Sequence, residues 1–168
     1  MIPMCEAMLG EVQQEAATTR RVLERVPEDK LSWRPHKKSM TLGQLALHLA
    51  NVPGSIARIS QSDEFDASKA NFGAEQPKNI GEIFAAHDES IRAAEDCLRN
   101  LTEDRARAQW KLKMGPRDVF SIPRASLLRS IMLNHWYHHR GQLSVYLRLL
   151  DVALPSIYGP SADENPFS

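Results

Sequence analysis

The amino-acid sequence predicts an all-α protein, an antiparallel four-helix bundle that occupies residues 1–168 as a single domain. Four long segments repeat apolar residues at the three- and four-residue spacing of amphipathic helices. Residue patterns typical of helix N-termini stand at the start of two of them. Alternation typical of strands is confined to one short stretch. Long helices without a large sheet pack most readily as a bundle.

Composition narrows the choice of partners and compartment. The chain has 21 basic and 21 acidic residues and a formal net charge of zero, so its net charge gives no electrostatic argument for binding to nucleic acid or to a membrane surface. No apolar run approaches the roughly 20 residues that span a bilayer. The first residues lack the basic start and apolar core of a signal peptide. The two cysteines, Cys5 and Cys97, make no disulfide framework, so we expect a reducing, cytoplasmic location.

The first two predicted helices span residues 3–26 and 41–60. The second begins with the sequence of a capping box, in which the Thr41 hydroxyl and the Gln44 side chain each bond the other's backbone amide. Pro53 lies inside this helix and is expected to kink it or to end it early, because proline removes a helical hydrogen bond.

A polar stretch over residues 61–78 is predicted as a long loop, and the third helix follows it over 79–101 with Asn79 as its N-cap. Beyond this helix, apolar and polar residues alternate from Trp110 to a Gly-Pro turn. This pattern predicts either a short hairpin or an extended crossover. The fourth helix spans 123–150, and a tail rich in proline, glycine and serine ends the chain.

The last helix carries three of the six histidines within five positions. At about 100° per residue, His135 and His139 share the inward face one turn apart, whereas His138 lies on its flank. Imidazoles at this spacing can reach one metal ion. The same geometry points Tyr137 and Arg140 away from the core, which favours a capping or tail-docking role for the arginine.

A third ligand would have to come from another helix, because two ligands from one helix rarely bind an ion tightly. His48 on the second helix and His87 on the third are the candidates. Of the two, His87 is expected to lie in the core or to contact a ligand rather than to bind the ion. Three neutral imidazoles and a water form an open site of the kind used by catalytic zinc. Imidazole also suits nickel, copper and iron. The competing interpretation is that these histidines are ordinary hydrogen-bonded helix residues.

The sequence lacks the motifs that identify several enzyme classes. Trp136 stands where a zincin carries its catalytic glutamate, and no carboxylate is placed by the sequence to act as a base.

Two further side chains on the last helix have possible roles at the site. Gln142 could orient a ligand. Tyr146 could donate a proton to a substrate, but a tyrosine that caps the bundle core is the preferred interpretation.

Three stretches, "LGQLALHLAN", "NHWYHHRGQLSVYLRLL" and "LPSIYGPSADE", together resemble the DinB-like superfamily, the damage-inducible bundle proteins related to YfiT. The likeness covers nearly the whole chain. It implies a divalent metal ion held by His48, His135 and His139, and a homodimer. Apolar neighbours such as Leu45 and Met132 are expected to shape a cleft beside the ion, between the second and fourth helices.

The resemblance also implies a chemistry. Some members of the superfamily are metal-dependent transferases or isomerases that use a low-molecular-weight thiol such as bacillithiol, mycothiol or glutathione, and others have no assigned activity. The expectation is therefore a thiol-dependent S-transferase, or else a hydrolase, acting on a small-molecule substrate with zinc or nickel, or with manganese or iron. The alternative is a non-catalytic metal-binding or stress-related bundle. The catalytic residues are not identified by the sequence.

Overall fold

The computed structural model describes residues 3–71, 73 and 75–167, and within them four long helical runs form an antiparallel bundle. The helices are α1 (Pro3–Leu23), α2 (Leu42–Ile59), α3 (Ile80–Asn100), the short α4 (Glu103–Arg107), and a final run made of α5 (Arg124–Ser126), a π-helical segment (Leu127–Leu133) and α6 (Asn134–Leu149). Both α1 and α2 pack against α3 and against α6. The predicted fold class is confirmed. Among the described helices, none is long and apolar enough to cross a membrane.

The two predicted helix caps, at Thr41 and Asn79, are those observed. At α2, the backbone amide of Gln44 donates to the Thr41 hydroxyl at 3.1 Å, and the Thr41 amide donates to the Gln44 side chain at 2.9 Å. At α3, the Asn79 side chain accepts from the Glu82 amide at 3.0 Å. Each cap satisfies backbone amides that have no partner inside the helix.

The helix α2 continues through Pro53 to Ile59, so of the two expected effects of this proline, a kink or an early end, the early end does not occur. Packing against α3 supports this stretch. The Gly54 amide donates to the Ser90 hydroxyl at 2.7 Å, and a Cβ at Gly54 would lie only 2.7 Å from the Ser90 Cα. The close approach of the two helices therefore depends on glycine at this position.

A small sheet lies beside the bundle, with strands in the order β1 (Glu64–Asp66), β2 (Gln109–Met114) and β3 (Arg117–Pro123). Strands β2 and β3 form an antiparallel hairpin about Gly115, whose φ is +60°, so the hairpin rather than the crossover is correct. Strand β1 pairs with β2 in parallel and falls inside the predicted loop. The loop prediction missed it because three polar-flanked residues carry no periodic signal.

A buried arginine joins the sheet to the bundle. The Arg124 guanidinium is 1% exposed, and it donates to the carbonyl oxygens of Ser60 at 2.6 Å and Arg105 at 2.7 Å. It also donates to the Asp63 carboxylate at 2.7 Å. Because a buried charge is costly unless every donor is used, these bonds fix the start of the last helical run against the end of α2.

The inward face of α6 differs from the predicted one. Its buried residues are Trp136, His139, Arg140, Leu143 and Leu147. Arg140 and Tyr137 therefore do not point to solvent: Arg140 is buried, and Tyr137 is half-buried with its hydroxyl donating to Glu11 at 2.7 Å. The π-helical segment accounts for part of the error. Its wider turn rotates each residue by less than an α-helix does, so Leu128 and Met132 cannot be placed on the wheel of α6.

Arg140 docks the C-terminal tail, as its expected role suggested. Its guanidinium pairs with the Glu15 carboxylate of α1 at 2.5 Å and donates to the Thr19 hydroxyl at 3.1 Å. It also contacts the Tyr158 hydroxyl, which in turn donates to Glu15 at 2.9 Å. The tail is thereby tied to both α1 and α6.

Candidate metal centre

Three histidines meet where α2 packs on α6. His48 lies in the middle of α2, and His135 and His139 lie one turn apart on α6. His48 and His135 are half-buried, and His139 is 8% exposed. The predicted trio is therefore brought together by the packing of the two helices.

The distances between these rings suit a single metal ion. The Nε2 atoms of His48 and His135 are 3.3 Å apart, and the ring centroids of His48 and His139 are 4.4 Å apart. One nitrogen from each of the three rings lies within 4.8 Å of the others. An ion bound tetrahedrally at about 2.0–2.1 Å separates its ligand nitrogens by about 3.3–3.4 Å. The three histidines could hold a metal ion after only small side-chain adjustment.

A glutamine orients one of the rings. The Nδ1 atom of His139 lies 2.7 Å from the side-chain oxygen of Gln142. Because that oxygen can only accept, the hydrogen of the neutral ring is assigned to Nδ1. This leaves the Nε2 lone pair of His139 free to bind an ion, and such a bond also makes the ring a better ligand.

The environment keeps the three rings uncharged. Burial, reinforced by the two neighbouring histidines, lowers the pKa of His48 from 6.5 to about 4. Burial also lowers the pKa of His135 and of His139, and the bond to Gln142 partly opposes the change at His139. Metal ions bind the neutral form of imidazole, so the site is ready for an ion at neutral pH.

The other histidines lie outside the group. His138 is exposed, with its ring centroid 5.0 Å from that of His139. His87 is buried on α3 beside Asp88 and does not join the trio, in line with its expected core position. Among the described residues, no fourth histidine, cysteine or carboxylate completes the group.

A cavity of about 430 Å³ opens beside His48 and His135. Its apolar wall is formed by Met40, Val52, Ile56, Ile59 and Phe65. The expectation that Leu45 and Met132 would shape it is wrong, because both are fully buried in the core. The cleft forms between α2, the start of α6 and the segment around β1, so the apolar residues that flank His48 on the outer side of α2 line it.

A second cavity of about 410 Å³ adjoins the first along α2, and His48 lines both. The exposed carboxylate Glu75 lines this second cavity, and no pattern in the sequence places Glu75 near the histidines. Asn51 and Ser55 line both cavities and were also missed. Their spacing of three and seven residues from His48 puts them on the same helix face, and that signal could have identified them.

Tyr146 is not at the site. Its ring packs edge-on against Trp33 with centroids 5.8 Å apart, and its hydroxyl donates to the Met40 carbonyl oxygen at 3.4 Å. It lines neither cavity beside His48. The core-capping interpretation of this tyrosine therefore fits the structure better than proton donation.

Comparisons with known proteins agree on one family. The model of the DinB family matches residues 1–165. An uncharacterized Bacillus subtilis protein, YrdA, is 26% identical over 151 residues, which cover 89% of this chain and 85% of YrdA.

Solved structures agree on the fold. The crystal structure of a DinB-like protein of Bacillus subtilis, YjoA, superposes with a TM-score of 0.69 at 17% identity, covering 90% of this chain and 96% of that one. A DinB-like protein of Bacillus cereus gives the same TM-score at 22% identity, covering 91% and 97%.

Proposed function

This chain belongs to the DinB family, and we propose that it is a metal-dependent enzyme in which His48, His135 and His139 bind one divalent ion. The observation that carries the proposal is the meeting of three neutral imidazoles, two of which, His48 and His135, line a cavity. Three protein ligands leave at least one position of the ion for water or substrate, as in catalytic zinc sites. Zinc or nickel is the proposed ion, with manganese or iron as alternatives.

The proposed reaction is attack on a small molecule by a thiol or by water. A divalent ion in this position would lower the pKa of either nucleophile and stabilise charge on the reacting group. The residues of the chain supply the rest. Gln142 holds the His139 ring, and Val52, Ile56 and Phe65 form an apolar wall against which a bound molecule would pack. Thiol S-transfer with a low-molecular-weight thiol and hydrolysis are the two reactions proposed.

A non-catalytic metal-binding bundle is the second candidate, and one observation favours it. The described residues that line the apolar cavity include no acid, lysine, cysteine or tyrosine that could move a proton. Glu75, in the adjoining cavity, is the one carboxylate among the described residues that line the two cavities. A protein that only carries its ion needs no such group.

An activity screen separates the two candidates. Purified protein is loaded with zinc, nickel or manganese and assayed for conjugation of thiols to electrophiles and for hydrolysis of esters and amides. We expect at least one loaded form of the wild type to exceed the His135→Ala variant, with the His138→Ala variant as active as the wild type. If every loaded form stays at the rate of His135→Ala, the non-catalytic candidate replaces the enzyme.

We also propose that the protein is a cytoplasmic homodimer, by analogy with the superfamily it resembles. Sedimentation at micromolar concentration tests the assembly: a species of twice the 18.9 kDa chain mass is expected. A single species at the mass of one chain would contradict it.

A further inference from the structure

We propose that the cavity beside His48 and His135 binds the uncharged, apolar part of a small molecule, and that Asn51 recognises a carbonyl or amide group on that molecule. The inference names the substrate class of the proposed active site and in that sense rests on the proposed function. The cavity itself exists without an ion, which allows the two to be tested separately.

The first support is the wall of the cavity. Ile56 and Ile59 of α2 are half-buried and face it together with Phe65 of β1. Binding of a ligand is favoured when it removes the remaining exposure of half-buried apolar side chains to water. A volume of about 430 Å³ lies within the range of small-molecule sites.

The second support is the distribution of charge. None of the described residues that line this cavity is Lys, Arg, Asp or Glu. A charged group carried by a ligand into this apolar part would lose water without gaining a partner, which disfavours binding. The cavity therefore selects against ligands whose body is anionic or cationic.

The third support is a pair of unused polar groups. The side chains of Asn51 and Ser55 make no hydrogen bond to another described residue, although both line the cavity. They follow His48 by three and seven positions, on one face of α2. The Asn51 amide can both donate and accept, so it matches a carbonyl or an amide of a ligand whose reacting group lies at the histidines.

Binding to metal-stripped wild-type protein tests the class of ligand. The probes are octanamide, octanoate and octylamine, which share a chain of eight carbon atoms and differ in head-group charge. We expect octanamide to bind at least about 10-fold more tightly than either charged probe, measured by calorimetry or by NMR shift titration. Equal or tighter binding of octanoate or octylamine would overturn the inference.

Substitution of the wall places the binding in this cavity. Ile59→Asp should weaken octanamide and strengthen octylamine, because it adds a negative charge to the wall. Val145→Asp is the matched control, since Val145 is 58% exposed on α6 and lines neither cavity beside His48. Ile59→Asn serves if Ile59→Asp does not fold, with weaker octanamide binding expected. Unchanged octanamide affinity in the folded Ile59 variant would contradict the proposal.

The role of Asn51 has its own variant. Asn51→Leu should weaken octanamide by about 3- to 10-fold, the worth of one neutral hydrogen bond, and leave binding of chlorobenzene unchanged. Equal loss for both ligands would show that Asn51 only shapes the wall.

Failure of this inference is distinguishable from failure of the proposed function. Preference for octanamide in a protein that binds no zinc would leave the cavity inference standing without the enzyme. Stoichiometric zinc binding without a preference for octanamide would leave the metal site standing and overturn the cavity inference.

Discussion

The Nε2 atoms of His48 and His135 lie 3.3 Å apart across the contact between α2 and α6. Burial lowers the pKa of both rings, so neither is expected to carry a positive charge at neutral pH. Two neutral imidazoles at this distance can share one hydrogen or bind one cation. The relationship therefore links the packing of two helices to the affinity of the site for an ion.

Gln142→Leu should weaken metal binding by about 10- to 100-fold, because the His139 Nδ1–H loses the oxygen that orients its ring. Gln142 is exposed, so the free energy of unfolding should change little. Competition with a chromophoric chelator measures the affinity. Gln142→Glu, which keeps an accepting oxygen, should bind as tightly as the wild type. Equal affinity of the Leu variant would show that the contact does not orient the ring.

Arg140→Leu should lower the free energy of unfolding by about 3–5 kcal/mol, because it leaves the buried Glu15 carboxylate without a positively charged partner. Side-chain exposure is only 2% for Arg140 and 8% for Glu15. The control is Arg148→Leu, which breaks a pair with 43% and 28% exposure and should cost about 1 kcal/mol or less. Urea unfolding measures both. Similar losses in the two variants would contradict the importance of burial.

The stability of the protein should fall as the pH drops below about 6.5, in part through His87. Burial lowers the pKa of folded His87 below 6.5, against an opposing contribution from Asp88. The unfolded chain then binds more protons over the interval between the two pKa values, and unfolding is favoured there.

His87→Leu should make urea unfolding less sensitive to pH between 7.5 and 5, while the exposed His36→Leu keeps the wild-type dependence. All proteins are compared in the metal-free form. If both variants follow the wild-type curve, His87 does not contribute.

Local signals in the sequence were sufficient for much of the fold. The cap residues Thr41 and Asn79 act within one turn, so their helices begin where the sequence predicts. The spacing of His135 and His139 within one regular helix brought both rings to the same face, and left His138 exposed.

Features that depend on distant contacts were not predictable in this way. The pairing of Glu64 with Lys111 joins segments far apart in the chain, and the sequence of neither segment identifies its partner strand. The burial of Arg140 depends on partners far away in the chain, above all Glu15 in α1. The cavity wall combines α2 with Phe65, so its residues became evident only from the packing.

Metal content tests the central claim most directly. Wild type, His135→Ala and His138→Ala are each incubated with zinc, freed of excess ion by gel filtration, and measured by elemental analysis. We predict about one zinc ion per chain for the wild type and for His138→Ala, and nearly none for His135→Ala. Equal loss in the two variants, or a wild type that retains no zinc at neutral pH, would contradict the assignment of His48, His135 and His139 as the metal ligands.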